Sequence, residues 1–142
     1  MIVNEVAKNV EKMISIDTAK NSFQVLVVNQ KTGKKKNTKV QRSKFVEYIL
    51  KQGPCLIFME SCSASQHWAR LFESFGFTVK LIAAQHVKAF LRNRKVKNDE
   101  RDAEAIYTCG IQPDTKFVRI KTVEEQTVAL LHTLRQVAVS QR

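Results

Sequence analysis

Asp17, Glu60, Asp99 and Asp102 are the residues of this chain whose type and setting suit metal chemistry. Asp17 closes the alternating stretch Met13-Ile14-Ser15-Ile16-Asp17, and Glu60 directly follows the apolar run Leu56-Ile57-Phe58-Met59. A carboxylate at the end of an apolar strand is costly unless something cationic compensates it. Asp99 and Asp102 are three apart, so a helix sets both on one face, where like charges repel unless a cation sits between them. Hard oxygen ligands of this kind suit Mg²⁺ or Mn²⁺. Two such ions about 4 Å apart can activate an attacking oxygen and stabilise a leaving one in phosphodiester chemistry. Each carboxylate also has a plainer reading. Asp17 can be a turn or cap residue, and Asp99 is an obvious helix N-cap with Asp102 in the favourable first turn. Glu60 is the hardest to explain that way, and spacing alone leaves both readings open.

The basic residues point to a polyanion. Twenty-four Lys+Arg stand against 13 Asp+Glu, a formal net charge of +11 with a pI near 9.8. DNA or RNA is the first candidate partner for such a balance. Lys31, Lys34, Lys35, Lys36, Lys39, Arg42 and Lys44 form one cluster, in which Lys34, Lys35 and Lys36 are contiguous. A solvated loop is the usual explanation for such a run. Lys88, Arg92, Arg94, Lys95 and Lys97 form a second cluster, which leads straight into Asp99. Both could contact phosphates, with a steep salt dependence and no base specificity.

Other chemistry-bearing residues are less informative. Trp68, Phe72 and Phe75 have the helical spacing of core residues, and His67 and His86 could approach the carboxylates. Gly33-Lys34 lacks the rest of a phosphate-binding loop. Cys55, Cys62 and Cys109 are odd in number and without metal-ligand spacing, so they read as free thiols of a reducing cytoplasm. No apolar run approaches the ~20 residues that span a bilayer, and the N-terminus lacks the apolar stretch of a signal peptide.

The elements that must position these side chains follow from periodicity. Strands are predicted at 13–17, 23–28 and 36–42, the third polar enough for a sheet edge. Ser43 can cap a helix with Phe45, Val46, Ile49 and Leu50 on one face, stopped by Gly53-Pro54. The apolar run 55–59 predicts a buried, parallel strand that delivers Glu60. A helix over 65–75, a strand over 78–82 and a helix over 85–92 follow. Asp99 opens another helix with Ala103, Ile106 and Tyr107 as its apolar stripe. From Thr122 to Arg142, Thr127, Leu130, Leu134 and Val137 alternate by three and four, as at the start of a helical or coiled-coil arm. The order βββαβαβα resembles a ribonuclease H-like α/β architecture, a mixed sheet with helices on its faces.

Several ordered motifs add a family resemblance. They are Ile16-Asp-Thr-Ala-Lys20, Met59-Glu-Ser-Cys62, His67-Trp-Ala-Arg70, Val79-Lys-Leu-Ile82, Gln85-His-Val-Lys88 and Asn98-Asp-Glu-Arg-Asp-Ala-Glu-Ala-Ile106, followed by Phe117-Val-Arg-Ile-Lys-Thr122. Together they resemble the N-terminal domain of the Asp-Glu-Asp-Asp insertion-sequence transposases of the IS110/IS1111 group, which includes Piv-type DNA invertases. The resemblance covers about residues 13–142. It implies a resolvase-like (RuvC-like) catalytic domain over 13–112, preceded by a leader at 1–12 and followed by a linker and the beginning of a helical arm at 113–142.

The resemblance further implies that Asp17, Glu60, Asp99 and Asp102 hold Mg²⁺ or Mn²⁺ and carry DNA strand cleavage and transfer. Lys34, Lys35, Lys36, Lys88, Arg92, Arg94, Lys95 and Lys97 are then the candidate nucleic-acid contacts. DNA is the implied partner, joined in one branch of the family by a structured guide RNA, with homo-oligomers formed through the 122–142 arm. Two positions depart from the family pattern: Ser61-Cys62-Ser63 replaces small residues and a glycine, and Ala84 stands where proline is common. The family continues into a serine-bearing second domain, so this stretch is expected to hold half an active site and to be inactive alone. A stand-alone resolvase-like nuclease, and a catalytically silent nucleic-acid-binding or oligomerisation module, are the alternatives.

Overall fold

A computed structural model describes residues 3–18, 21–91 and 99–140, with the backbone alone for 99–101. Six strands form one mixed sheet in the order β3-β2-β1-β4-β5-β6. The first three, β1 (Lys12–Thr18), β2 (Ser22–Asn29) and β3 (Lys35–Gln41), make an antiparallel meander. β4 (Leu56–Glu60) then lies parallel to β1, and β5 (Thr78–Ile82) parallel to β4. The short β6 (Phe117–Val118) closes the far edge antiparallel to β5. This mixed sheet with helices on both faces is consistent with the ribonuclease H-like architecture.

Alternation along each strand decides what faces where. Ile14, Ile16, Phe23, Val25, Ile57 and Met59 point to one face, covered by α1 (Phe45–Lys51) and α2 (Ser63–Ser74). Met13, Ser15, Leu26, Val28, Leu56 and Phe58 point to the other, covered by α3 (Ala84–Leu91) and α4 (Asp99–Ile111). Both faces of β4 are therefore buried, which is why its sequence is continuously apolar rather than alternating.

The α1/α2 face is built from aromatic rings. Phe45 stacks on Phe23 with centroids 3.9 Å apart and meets Trp68 and Phe72 edge-on. On the other face Gly110 is required by close approach: a Cβ there would stand 2.7–2.8 Å from the Phe58 ring. The N-terminal residues pack on this same layer. Asn4 donates from its side chain to the Gly110 and Gln112 carbonyls, and Val3, Val6, Ala7 and Val10 join the cluster around Phe58.

Several local expectations change. A 3-10 turn, Arg42–Lys44, precedes α1, so Ser43 makes no side-chain cap there. With seven residues, α1 buries only Phe45 and Ile49, and Leu50 faces solvent. Phe75 lies just past the end of α2 and is 48% exposed rather than in the core. The last helix, α5 (Val123–Ser140), follows the predicted span, but none of its residues is buried. No helix among the described residues is long and apolar enough to cross a membrane.

Candidate metal centre

Asp17 and Glu60 are brought together by strand register. β1 and β4 pair in parallel up to Ile16 opposite Met59, and each carboxylate is the next residue along its strand. Ser15 and Phe58, two residues earlier, both face α4, so Asp17 and Glu60 emerge on that face as well. Neighbouring strands are about 4.8 Å apart, which makes the two half-buried side chains immediate neighbours.

The helix above them is anchored at the same place. The buried Ser15 hydroxyl donates to the Ala103 carbonyl at 2.7 Å, holding the beginning of α4 over β1. Asp102, the residue before Ala103, is half-buried and close enough for its charge to act on Glu60. Asp99 opens α4 one turn earlier, and its side chain lies outside the described residues. Among the described residues, no three His, Cys, Asp or Glu side chains stand close enough to hold a metal ion.

The electrostatics favour a cation at this point. Burial pushes the Glu60 carboxyl above its ordinary value, Lys88 from α3 pulls it down, and Asp102 pushes it up again. A half-buried carboxylate that also faces a second negative charge resists ionisation, and a bound divalent ion would relieve both penalties. The donor set, carboxylate oxygens alone, fits Mg²⁺ or Mn²⁺.

Of the basic candidates among the described residues, Lys88 is the one whose charge reaches Glu60. Lys35 and Lys36 are exposed on β3, with Lys34 in the preceding turn, and Lys35 Nζ lies 5.2 Å from the Tyr107 ring centroid on α4. Arg92, Arg94, Lys95 and Lys97 lie outside the described residues. His67 is exposed against the edge of Trp68, and His132 meets Gln136 on α5.

The departure after Glu60 has a structural use. Cys62 is the N-cap of α2: its sulfur accepts from the Ser65 amide at 3.4 Å while the Ser65 hydroxyl accepts from the Cys62 amide at 2.8 Å. This reciprocal cap starts α2 directly behind the carboxylate strand. Two contributors were not anticipated. Ser15 is one, though a serine flanked by two isoleucines in a buried strand was its visible signal. Gln24 is the other: it pairs with Asp17 across β1 and β2, is 6% exposed, and donates to Asn37 Oδ1 at 2.6 Å.

The fold and site define an α/β domain consistent with the ribonuclease H-like type, with acidic residues at the shared end of two parallel strands and the adjoining helix. The IS110-type DEDD transposase family, described as "Transposase", matches residues 14–142, and the chain belongs to that family. It is 36% identical over 143 residues to the Sinorhizobium fredii protein y4pF/y4sB, which carries a transposase name, covering 99% of this chain and 36% of that one. It is 32% identical to the transposase for insertion sequence element IS1111A of Coxiella burnetii (92% of this chain, 35% of that one). The transposase for element IS1328 of Yersinia enterocolitica is also 32% identical (92% and 38%). The chain thus spans about a third of the length of the curated relatives it matches.

Proposed function

We propose that this chain supplies the metal-dependent DNA cleavage and strand-transfer chemistry of a transposase, with Asp17, Glu60, Asp99 and Asp102 holding Mg²⁺ or Mn²⁺. The observation that carries this reading is the meeting of Asp17 and Glu60 on one sheet face beneath the start of α4, where the charge of Asp102 reaches Glu60. The ion, when bound, would polarise a phosphodiester and activate the attacking oxygen. The protein's part is positional. β1 and β4 fix two carboxylates relative to each other, the Ser15–Ala103 bond fixes α4 over them, and Lys88 offers a positive charge beside Glu60 for a backbone phosphate. Membership of the transposase family and the charge of +11 support DNA as the substrate.

Calorimetry with Mn²⁺ tests the reading directly. Saturable heat is expected from the 142-residue chain and should vanish in the Asp17→Ala, Glu60→Ala double variant if that variant keeps its circular dichroism spectrum. No heat from the parent chain would overturn it.

A homo-oligomer joined through α5 is a further part of the proposal, supported by the exposed Leu130, Leu131, Leu134 and Val137. Sedimentation should then show an assembly that Leu130→Glu with Leu134→Glu converts to monomer, and a monomeric parent chain would reject it.

A further inference from the structure

The lysines of β3 do not share one surface, and the sheet register says which of them faces the carboxylates. Lys39 pairs with Gln24 across β3 and β2, and Gln24 pairs with Asp17 across β2 and β1. One row therefore runs Lys39, Gln24, Asp17 toward Glu60. Three contacts fix its face. Val40, the neighbour of Lys39, is buried in the α1/α2 core. Asn37 accepts from the Gln24 side chain, and Lys35 lies over Tyr107 of α4. Lys35, Asn37 and Lys39 thus stand on the carboxylate face. Lys36 is opposite Val27, which packs on the α1/α2 core, so it stands on the other.

We propose that Lys35, Asn37 and Lys39 form a phosphate track that seats a DNA strand leading to Asp17 and Glu60, and that Lys36 is not part of it. This rests on the reading of the carboxylates as a DNA-cleaving centre. The scale is suitable. Lys39 lies two strand spacings from Asp17, about 10 Å. A DNA strand carries one phosphate per about 3.4 Å of helix axis, so for a helix axis parallel to the row a phosphate at Lys39 lies roughly three nucleotides from the one at the carboxylates. Lysines on an edge strand also discourage strand pairing between molecules, but that purpose is served equally from either face. The polar character of Gln24 and Asn37 marks the carboxylate face apart: a buried amide continues the row inward where the opposite face has Phe23, Val25 and Val40.

The test is the salt dependence of DNA binding by the full 142-residue chain, read by anisotropy of a labelled duplex across a sodium chloride series. Lys39→Ala and Lys35→Ala should each reduce the slope of log K against log salt by about 0.9, the worth of one phosphate contact. Lys36→Ala removes the same charge one residue from Lys35 and should leave the slope unchanged. Equal reductions from all three, or none from Lys39→Ala, would overturn the track. So would losses confined to RNA of the same sequence. Mn²⁺ calorimetry on the same proteins separates the two levels of failure. If metal heat and its loss in the carboxylate variant stand while the slopes do not divide, the track alone is wrong. If the parent chain shows neither metal heat nor salt-dependent DNA binding, the reading beneath it fails too.

Discussion

The two faces of the central sheet are built from the same strands and lined with different kinds of residue. Toward α1 and α2, β1 and β2 present Ile14, Ile16, Phe23 and Val25, and the layer closes with Phe45, Trp68 and Phe72 in mutual ring contact. Toward α4 the same strands present Met13, Ser15 and Asp17, then Gln24 and Leu26, and the apolar residues fall into two smaller clusters. An aromatic layer supplies much apolar burial and needs no polar partners. A face that carries carboxylates has to pair or solvate every polar group it holds, and it does so with the Ser15–Ala103 and Gln24–Asn37 bonds. On the proposed function, stability is concentrated on one side and chemistry on the other, so substitutions should separate accordingly.

The largest separation is expected at Phe45. It is fully buried and touches three rings, so Phe45→Ala should cost about 3–5 kcal/mol in urea unfolding. The molecules still folded should bind Mn²⁺ with unaltered affinity. Weakened metal binding in the folded fraction would show that the faces are not independent. Gly110→Ala tests the other layer with a smaller effect. Its methyl would meet the buried Phe58 ring, and after the gain in helix propensity a net loss of about 1–2 kcal/mol is expected. Because the collision pushes α4 away from β4, Mn²⁺ affinity should fall with stability here, in contrast to Phe45→Ala.

Most of this arrangement was legible in the sequence, and the exceptions share a cause. Five strands, and the positions of Asp17 and Glu60 at or near strand ends, follow from alternation in β1 and from the continuous apolar run before Glu60, where both sheet faces are covered. Asp102 near the start of a helix was readable in the same way. What local pattern cannot give is set by partners far away in sequence. β6 is two residues paired with Leu81 and Ile82. Phe75 and Leu50 have core-like spacing but fall where their helices have run out of neighbours. The three-four alternation of α5 is present, yet among the described residues nothing buries it. The lysine cluster divides between two faces only once β3 is placed in register with β2. Ser15 and Gln24 were passed over because a polar residue inside an apolar strand gains its meaning from the element packed above it.

Ser15→Ala should have a subtler effect than Gly110→Ala. It removes one buried hydrogen bond, worth about 1 kcal/mol, and leaves the carbonyl of Ala103 without its hydroxyl donor. Thermal unfolding should register a loss of that order. If the bond sets the height of α4 over the carboxylates, Mn²⁺ affinity should drop by about fivefold, the equivalent of ~1 kcal/mol. An unchanged affinity beside the stability loss would reduce Ser15 to a packing residue.

The smallest effect should have the opposite sign. Burial, reinforced by Asp102 and opposed by Lys88, holds the Glu60 carboxyl above its unfolded value, so the metal-free folded state binds that proton more tightly. The resulting stability is complete below the unfolded carboxylate pKa and is lost as pH rises through the folded one. Glu60→Gln keeps the shape and removes the titration. It should match the parent chain in acid and become slightly more stable above that window. The gain should stay below about 1.4 kcal/mol, the worth of one full pKa unit, because the half-exposed group is screened by solvent. Saturating Mn²⁺ should invert the order, since an ion that binds only the folded parent chain stabilises it by mass action. A variant less stable than the parent at neutral pH without metal would mean that Glu60 is held by favourable partners. The contrast between a settled face and a strained one would then lose its electrostatic basis.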